Sequence, residues 1–139
     1  MGSLLDIESA RFSEAFAHRS IAVGHSLVDH PLFTLDAIAE LADRLPSSAV
    51  RRERGNLPLV NREGYVDIGE GPPSATIRDI ESNGFRVSLR DIQHDAPYAG
   101  LIDECLDEVA AILGNREGGM RRRTGYLFIT APAAQGVAR

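Results

Sequence analysis

The residues able to do chemistry in this chain are four histidines, one cysteine and a run of three arginines. His25, Asp29 and His30 lie close together, but their spacing gives neither the HExxH helix of zinc proteases nor the H-x-D pair of nonheme iron sites. His30 precedes Pro31 at a turn and His25 falls in a strand-like stretch, so both read as hydrogen-bonded structural histidines. His94-Asp95 stands just before a long helix, where Asp95 fits an N-cap or a partner for the helix dipole better than a catalytic acid. Cys105 lies on the apolar stripe of that helix and reads as a buried, inert thiol.

Two further stretches fail as ligand cradles. Gly69-Glu70-Gly71-Pro72-Pro73-Ser74 precedes a helix but lacks the third glycine of G-x-G-x-x-G and the Gly-Lys-Ser/Thr ending of a P-loop. Its two prolines also remove N–H donors that a phosphate would need, so it reads as a turn. Arg121-Arg122-Arg123 beside Gly118-Gly119 reads as a solvated loop, with the acidic face of the long helix to attract it. No G-x-S-x-G elbow supports a Ser/His/Asp arrangement. No catalytic, cofactor-binding or metal-ligating residue is assigned from the sequence.

The elements that would position a site are clearer. Ser9–Ala17 has weak helical periodicity through Phe12, Ala15 and Phe16, and Ser20–Val28 alternates like a half-buried strand. Thr34 can cap a helix whose Leu35, Ile38, Ala39, Leu41, Ala42 and Leu45 recur at helical spacing, and Pro46 stops it. Ser47–Pro58 is polar and arginine-rich and is expected to be an exposed loop. The stretch 56–73 fits short strands or irregular structure. Pro73-Ser74 opens a short helix through Ile77 and Ile80 that Asn83-Gly84 closes. Phe85–Arg90 alternates as a strand. Pro97 begins the best amphipathic helix, with Tyr98, Leu101, Ile102, Cys105, Leu106, Val109, Ile112 and Leu113 on one face and Gly114 at its end. Tyr126–Thr130 has almost no polar interruption and is expected to be a strand buried on both faces.

The 139 residues fit one α+β unit able to bury roughly two-thirds of its unfolded surface. No apolar run approaches the roughly 20 residues of a membrane span. The N-terminus has no signal-peptide pattern, and a lone cysteine suits a reducing cytoplasm. A net charge of −5 disfavours nucleic acid and anionic lipid as partners. All fifteen basic residues are arginine, which reads as compositional bias rather than as anion recognition.

His30-Pro31-Leu32-Phe33, the helix ending Leu41-Ala42-Asp43-Arg44-Leu45-Pro46, the acidic helix Leu101–Val109 and Gly125-Tyr126-Leu127-Phe128-Ile129-Thr130-Ala131-Pro132 occur in an order that resembles the N-terminal portion of bacterial cupin-like proteins of the JmjC type. These are relatives of the iron(II)- and 2-oxoglutarate-dependent oxygenases. The resemblance implies a helical lead-in followed, from about residue 124 to 139, by the start of a double-stranded β-helix. It also implies an H-x-D pair on the next core strand, a second histidine much later, and Fe(II) and 2-oxoglutarate as cofactors of the whole protein. None of those ligands maps onto a residue of this sequence. On this reading the segment is non-catalytic, its partner is the remainder of the barrel, and it helps build a substrate or dimer surface. Some family members are regulatory rather than oxygenases. The alternative is a small stand-alone binding or regulatory α+β domain.

Overall fold

The computed structural model describes residues 3–55, 69–114 and 122–132. Five helices and five strands follow one another as β1 (Leu5–Asp6), α1 (Ser9–Ala15), β2 (Gly24–His25), α2 (Leu35–Arg44), β3 (Val50–Arg54), α3 (Pro73–Arg78), α4 (Ile80–Asn83), β4 (Phe85–Leu89), α5 (Ala96–Leu113) and β5 (Leu127–Thr130). The architecture is mixed α+β with two small antiparallel sheets, β1-β2 and β3-β4-β5. None of these helices is long and apolar enough to cross a membrane.

Helix α2 forms where its periodicity places it. The Thr34 hydroxyl accepts from the Ala37 N–H at 3.1 Å, satisfying one orphan donor of the first turn, and Asp36 favours the positive end of the dipole. Ile38, Ala39, Leu41 and Ala42 are buried on one face. Leu45 leaves the helical region and Pro46 prevents its continuation. The 73–83 segment is two helices rather than one: Asp79 sits at φ −95°, ψ 14° between α3 and α4. Gly84 then ends α4 in the left-handed region at φ +71°, which glycine enters without a Cβ penalty.

The larger sheet explains the core. Its register sets Val50 opposite Leu89 and Leu89 opposite Leu127, and likewise aligns Arg52, Val87 and Ile129. Alternation along each strand puts both rows on one face. That face packs with α2, α3, α4 and the start of α5 in a cluster of Ile38, Leu41, Ile77, Ile80, Tyr98 and Leu101. Each such aliphatic side chain contributes about 1.5–3 kcal/mol when fully buried. Rows Arg51–Ser88–Phe128 and Glu53–Arg86–Thr130 occupy the opposite face.

Three expectations are corrected. Of Ser20–Val28 only Gly24–His25 is strand, and Val23 and Val28 stay exposed; two residues pair with Leu5 and Asp6 and the rest has no neighbouring strand among the described residues. Of the expected loop Ser47–Pro58, Val50–Arg54 is a strand, paired with β4 and preceded by a 3-10 turn at Ser47–Ala49; residues 56–58 lie outside the described residues. Finally, β5 is not buried on both faces. It pairs only with β4 among the described residues, Ile129 faces the core, and Tyr126 and Phe128 are 51% and 45% exposed. The expectations for residues 56–68, for Gly118, Gly119 and Arg121, and for 133–139 also fall outside the described residues.

Candidate functional site

The candidate site is the part of the larger sheet's second face around Ser88. Arg51 comes from β3, Ser88 and Arg90 from β4 and the residue after it, and Tyr126 and Phe128 from β5 and its approach. Together they line an open cleft of about 230 Å³. The Arg90 N–H donates to the Ala49 carbonyl at 2.8 Å, which carries the sheet pairing one residue past Leu89. Tyr126 and Phe128 share a face because they are two residues apart along one extended segment. Ser88 lies between Arg51 and Phe128 in the register and is only 8% exposed. Among the described residues the lining holds two guanidinium groups, the Ser88 hydroxyl, a phenol and a phenyl ring.

A second depression, of about 300 Å³, lies on the other side of Arg90 and is lined by Leu45, Pro46, Ser48, Ala49, Asp91 and His94. Asp91 there adopts the left-handed conformation at φ 54°, and its carboxylate accepts from the Gln93 amide at 3.5 Å.

The buried arginines are structural. Arg52 on the core face donates through Nη1 to the carbonyls of Gly71 at 3.1 Å and Glu70 at 3.4 Å and to the Thr76 hydroxyl at 3.1 Å. The Gly69–Ser74 loop therefore presents carbonyl oxygens to a cation, the opposite polarity to a phosphate cradle. Arg86, fully buried, meets the Glu53 carboxylate directly across the strands at 2.7 Å. Burial of a charge requires such pairing.

Two of the histidines hold turns through their Nδ1 atoms. His30 Nδ1 accepts from the Leu32 N–H at 3.1 Å, capping the 3-10 turn Pro31–Phe33, and its ring meets Phe33 edge-on. His25 Nδ1 accepts from the Leu27 N–H at 3.2 Å. Among the described residues no three His, Cys, Asp or Glu side chains gather to hold a metal ion. Asp95 stands at the N-cap position of α5, yet its side chain makes no cap hydrogen bond. Instead both carboxylate oxygens accept from Arg44, at 2.8 and 3.0 Å, tying the end of α2 to the start of α5. That hydrogen bond raises the Arg44 pKa. Arg123 reaches Asp103 at 3.0 Å and Asp107 at 2.8 Å, as the acidic face of α5 led us to expect.

Cys105 is half-buried beside the core, and burial first, then Glu108 and Glu104, push its thiol pKa up. A thiol held protonated is a poor nucleophile. The cleft itself was missed from sequence because its five residues come from three strands, and β3 was not recognised as one. The i, i+2 aromatics Tyr126 and Phe128 were the available signal. Comparison with known protein families, with curated proteins and with solved structures finds no match.

Proposed function

We propose that this chain is the helix-rich N-terminal portion of a cupin-like protein of the JmjC type, non-catalytic by itself, whose whole form is a cytoplasmic Fe(II)- and 2-oxoglutarate-dependent oxygenase. The observation that carries the reading is the outer edge of β5. Its Leu127–Thr130 backbone pairs with β4 on one side only among the described residues, and an edge of this kind is a template for another strand. The helices cover one face of the sheet, and no described strand pairs along that edge, an arrangement suited to continuation into a barrel.

The residues present do not fit an iron site, so no step of oxygenase chemistry is assigned to them. The H-x-D pair and later histidine expected of the family have no counterparts in the 139 residues. The role left to this segment is packing against the remainder of the barrel and contributing to a substrate or dimer surface. The test is anaerobic Fe(II) titration of this chain and of the chain extended by its in-frame coding sequence. The reading expects stoichiometric iron and 2-oxoglutarate binding only in the extended form. An in-frame stop with no H-x-D within about 25 residues, the room one connection and one strand require, refutes it; so does stoichiometric iron binding by the chain alone.

The cleft around Ser88 favours a second reading, a stand-alone binding or regulatory domain. That reading expects the 139-residue chain to be monodisperse and to unfold in one cooperative transition. Aggregation or a broad, non-cooperative melt sinks it.

A further inference from the structure

We infer that Asn83-Gly84 is a site of self-modification by deamidation, closed while the joint between α4 and β4 is folded and opened when that joint unfolds. The inference is independent of the barrel reading. Asn-Gly is the pair in which this chemistry meets least hindrance, because glycine has no Cβ to obstruct attack by its own nitrogen. The Gly84 nitrogen bonds to Cγ of Asn83 and gives up its proton. The Cγ–Nδ2 bond breaks, and Nδ2 takes up a proton and leaves as ammonia. Water then opens the five-membered imide at either carbonyl, leaving aspartate or isoaspartate at position 83. The balance needs only water.

The folded joint holds the groups that the reaction must move. Nδ2 of Asn83, the leaving group, donates to the Thr76 carbonyl at 2.8 Å, and Oδ1 accepts from the Phe85 N–H at 3.0 Å. Asn83 is the last residue of α4, with its own N–H bonded to the Asp79 carbonyl at 3.2 Å. Gly84 stands in the left-handed region at φ +71°, and its carbonyl accepts from the Gly55 N–H at 2.8 Å. Bringing Cγ onto the Gly84 nitrogen turns the Asn83 side chain and breaks both carboxamide hydrogen bonds. Two such bonds make the reactive arrangement about 5- to 150-fold rarer than in a free chain. Water is not what the fold withholds, since Asn83 is half-buried and Gly84 exposed.

The product does not fit the place of the reactant. Aspartate at position 83 keeps an acceptor for the Phe85 N–H but loses the donor, so a carboxylate oxygen would face the Thr76 carbonyl. Thr76 is 8% exposed, and its hydroxyl accepts from the buried Arg52 at 3.1 Å. The mismatch therefore falls where α3 is fastened to β3. Isoaspartate adds a methylene to the main chain just before β4, whose register with β3 starts at Phe85. Local openings of this kind precede global unfolding. Each one that leads to reaction is recorded covalently, and the altered chain folds less stably.

The experiment incubates the 139-residue chain at pH 8, folded in buffer and unfolded in guanidinium chloride. Mass spectrometry of the tryptic peptide 79–86 reads the exchange of its amide for an acid. The unfolded chain is expected to react about fivefold or more faster than the folded one. Asn83→Asp, the product itself, and Asn83→Ser, which removes the Thr76 donor without adding charge, should each lower the folding equilibrium constant about fivefold or more in urea. Equal rates in the folded and unfolded chain, or no reaction in the unfolded chain, overturn the inference. So does an Asn83→Asp chain as stable as wild type. Should Asn83→Asp fail to fold, Asn83→Ser carries the test, and a midpoint equal to that of wild type overturns the inference.

Discussion

Replacing Tyr98 by phenylalanine removes one oxygen from the interior and leaves the packing shape intact. The Tyr98 side chain is fully buried in the core, and its hydroxyl donates to the Leu32 carbonyl at 2.6 Å. That bond fastens the 3-10 turn Pro31–Phe33 to the first turn of α5, across 66 positions of sequence. A neutral hydrogen bond is worth about 0.5–1.5 kcal/mol net, and the partly buried carbonyl left behind adds to the cost. Tyr98→Phe should therefore destabilise the fold by about 1–2 kcal/mol, which for a domain of this size lowers Tm by about 3–8 °C.

The same group gives a pH signature. Burial, the largest influence, raises the Tyr98 pKa above its ordinary value of 10.0; Asp95 raises it further while Arg44 opposes. A pKa higher in the folded than in the unfolded chain means that unfolding releases the proton more readily. The contribution to stability is whole below pH 10 and is lost as pH rises through the folded pKa. Urea unfolding followed by circular dichroism at a series of pH values should show wild type above Tyr98→Phe at neutral pH, with the gap closing above pH 10. Equal midpoints at pH 7, or a gap that widens in alkali, would refute the reasoning.

Gly125 passes so close to the core that a Cβ there would lie 2.6 Å from Ile102 Cδ1 and 2.9 Å from Ile92 Cγ1; Gly125→Ala should cost about 1–3 kcal/mol, and Ile102→Val should recover part of it in a double-mutant cycle measured by urea denaturation. Because burial and two carboxylates hold the Cys105 thiol protonated, its alkylation by iodoacetamide at pH 8 should be slower than that of a free thiol, and Glu104→Gln should speed it. The Glu108 carboxylate accepts from the N–H groups of Leu4 at 2.8 Å and Leu5 at 3.1 Å; Glu108→Ala should raise amide exchange at residues 3–6 and 24–27 while leaving β4 protected, as hydrogen–deuterium mass spectrometry would show.

Helices α2 and α5 were legible because their apolar residues repeat at helical spacing and because Thr34, Pro46, Pro97 and Gly114 mark their ends. Strand β3 was not legible. Its Val-Arg-Arg-Glu-Arg run carries four charges in five residues, and the groups that make it a strand are far away: Glu70, Gly71 and Thr76 satisfy Arg52, and Arg86 meets Glu53. Strand β5 failed in the opposite sense. An apolar run announces burial, but only alternate residues turn inward, and Phe128 sits on the polar face beside arginines. Asp95 was placed at the start of α5 from the sequence, but its bidentate pairing with Arg44, 51 residues away in sequence, could not be read there. The candidate site depends on pairing among β3, β4 and β5, so it could not emerge until all three strands were placed.

The Glu108 clasp on Leu4 and Leu5 also orders events in time. These two hydrogen bonds join groups 104 and 103 positions apart, so the Leu4–Leu5 segment cannot be fastened until α5 has been synthesised. At about 5–20 residues per second, the amino-terminal strand waits on the order of 5–20 s for the carboxylate that holds it. During that interval Leu4 and Leu5 lack the acceptor they have in the finished molecule, and the β1-β2 pair, two residues long on each side, lacks this anchorage to α5. The start of the chain is thus completed by its later part, and the clasp is expected to close late in folding.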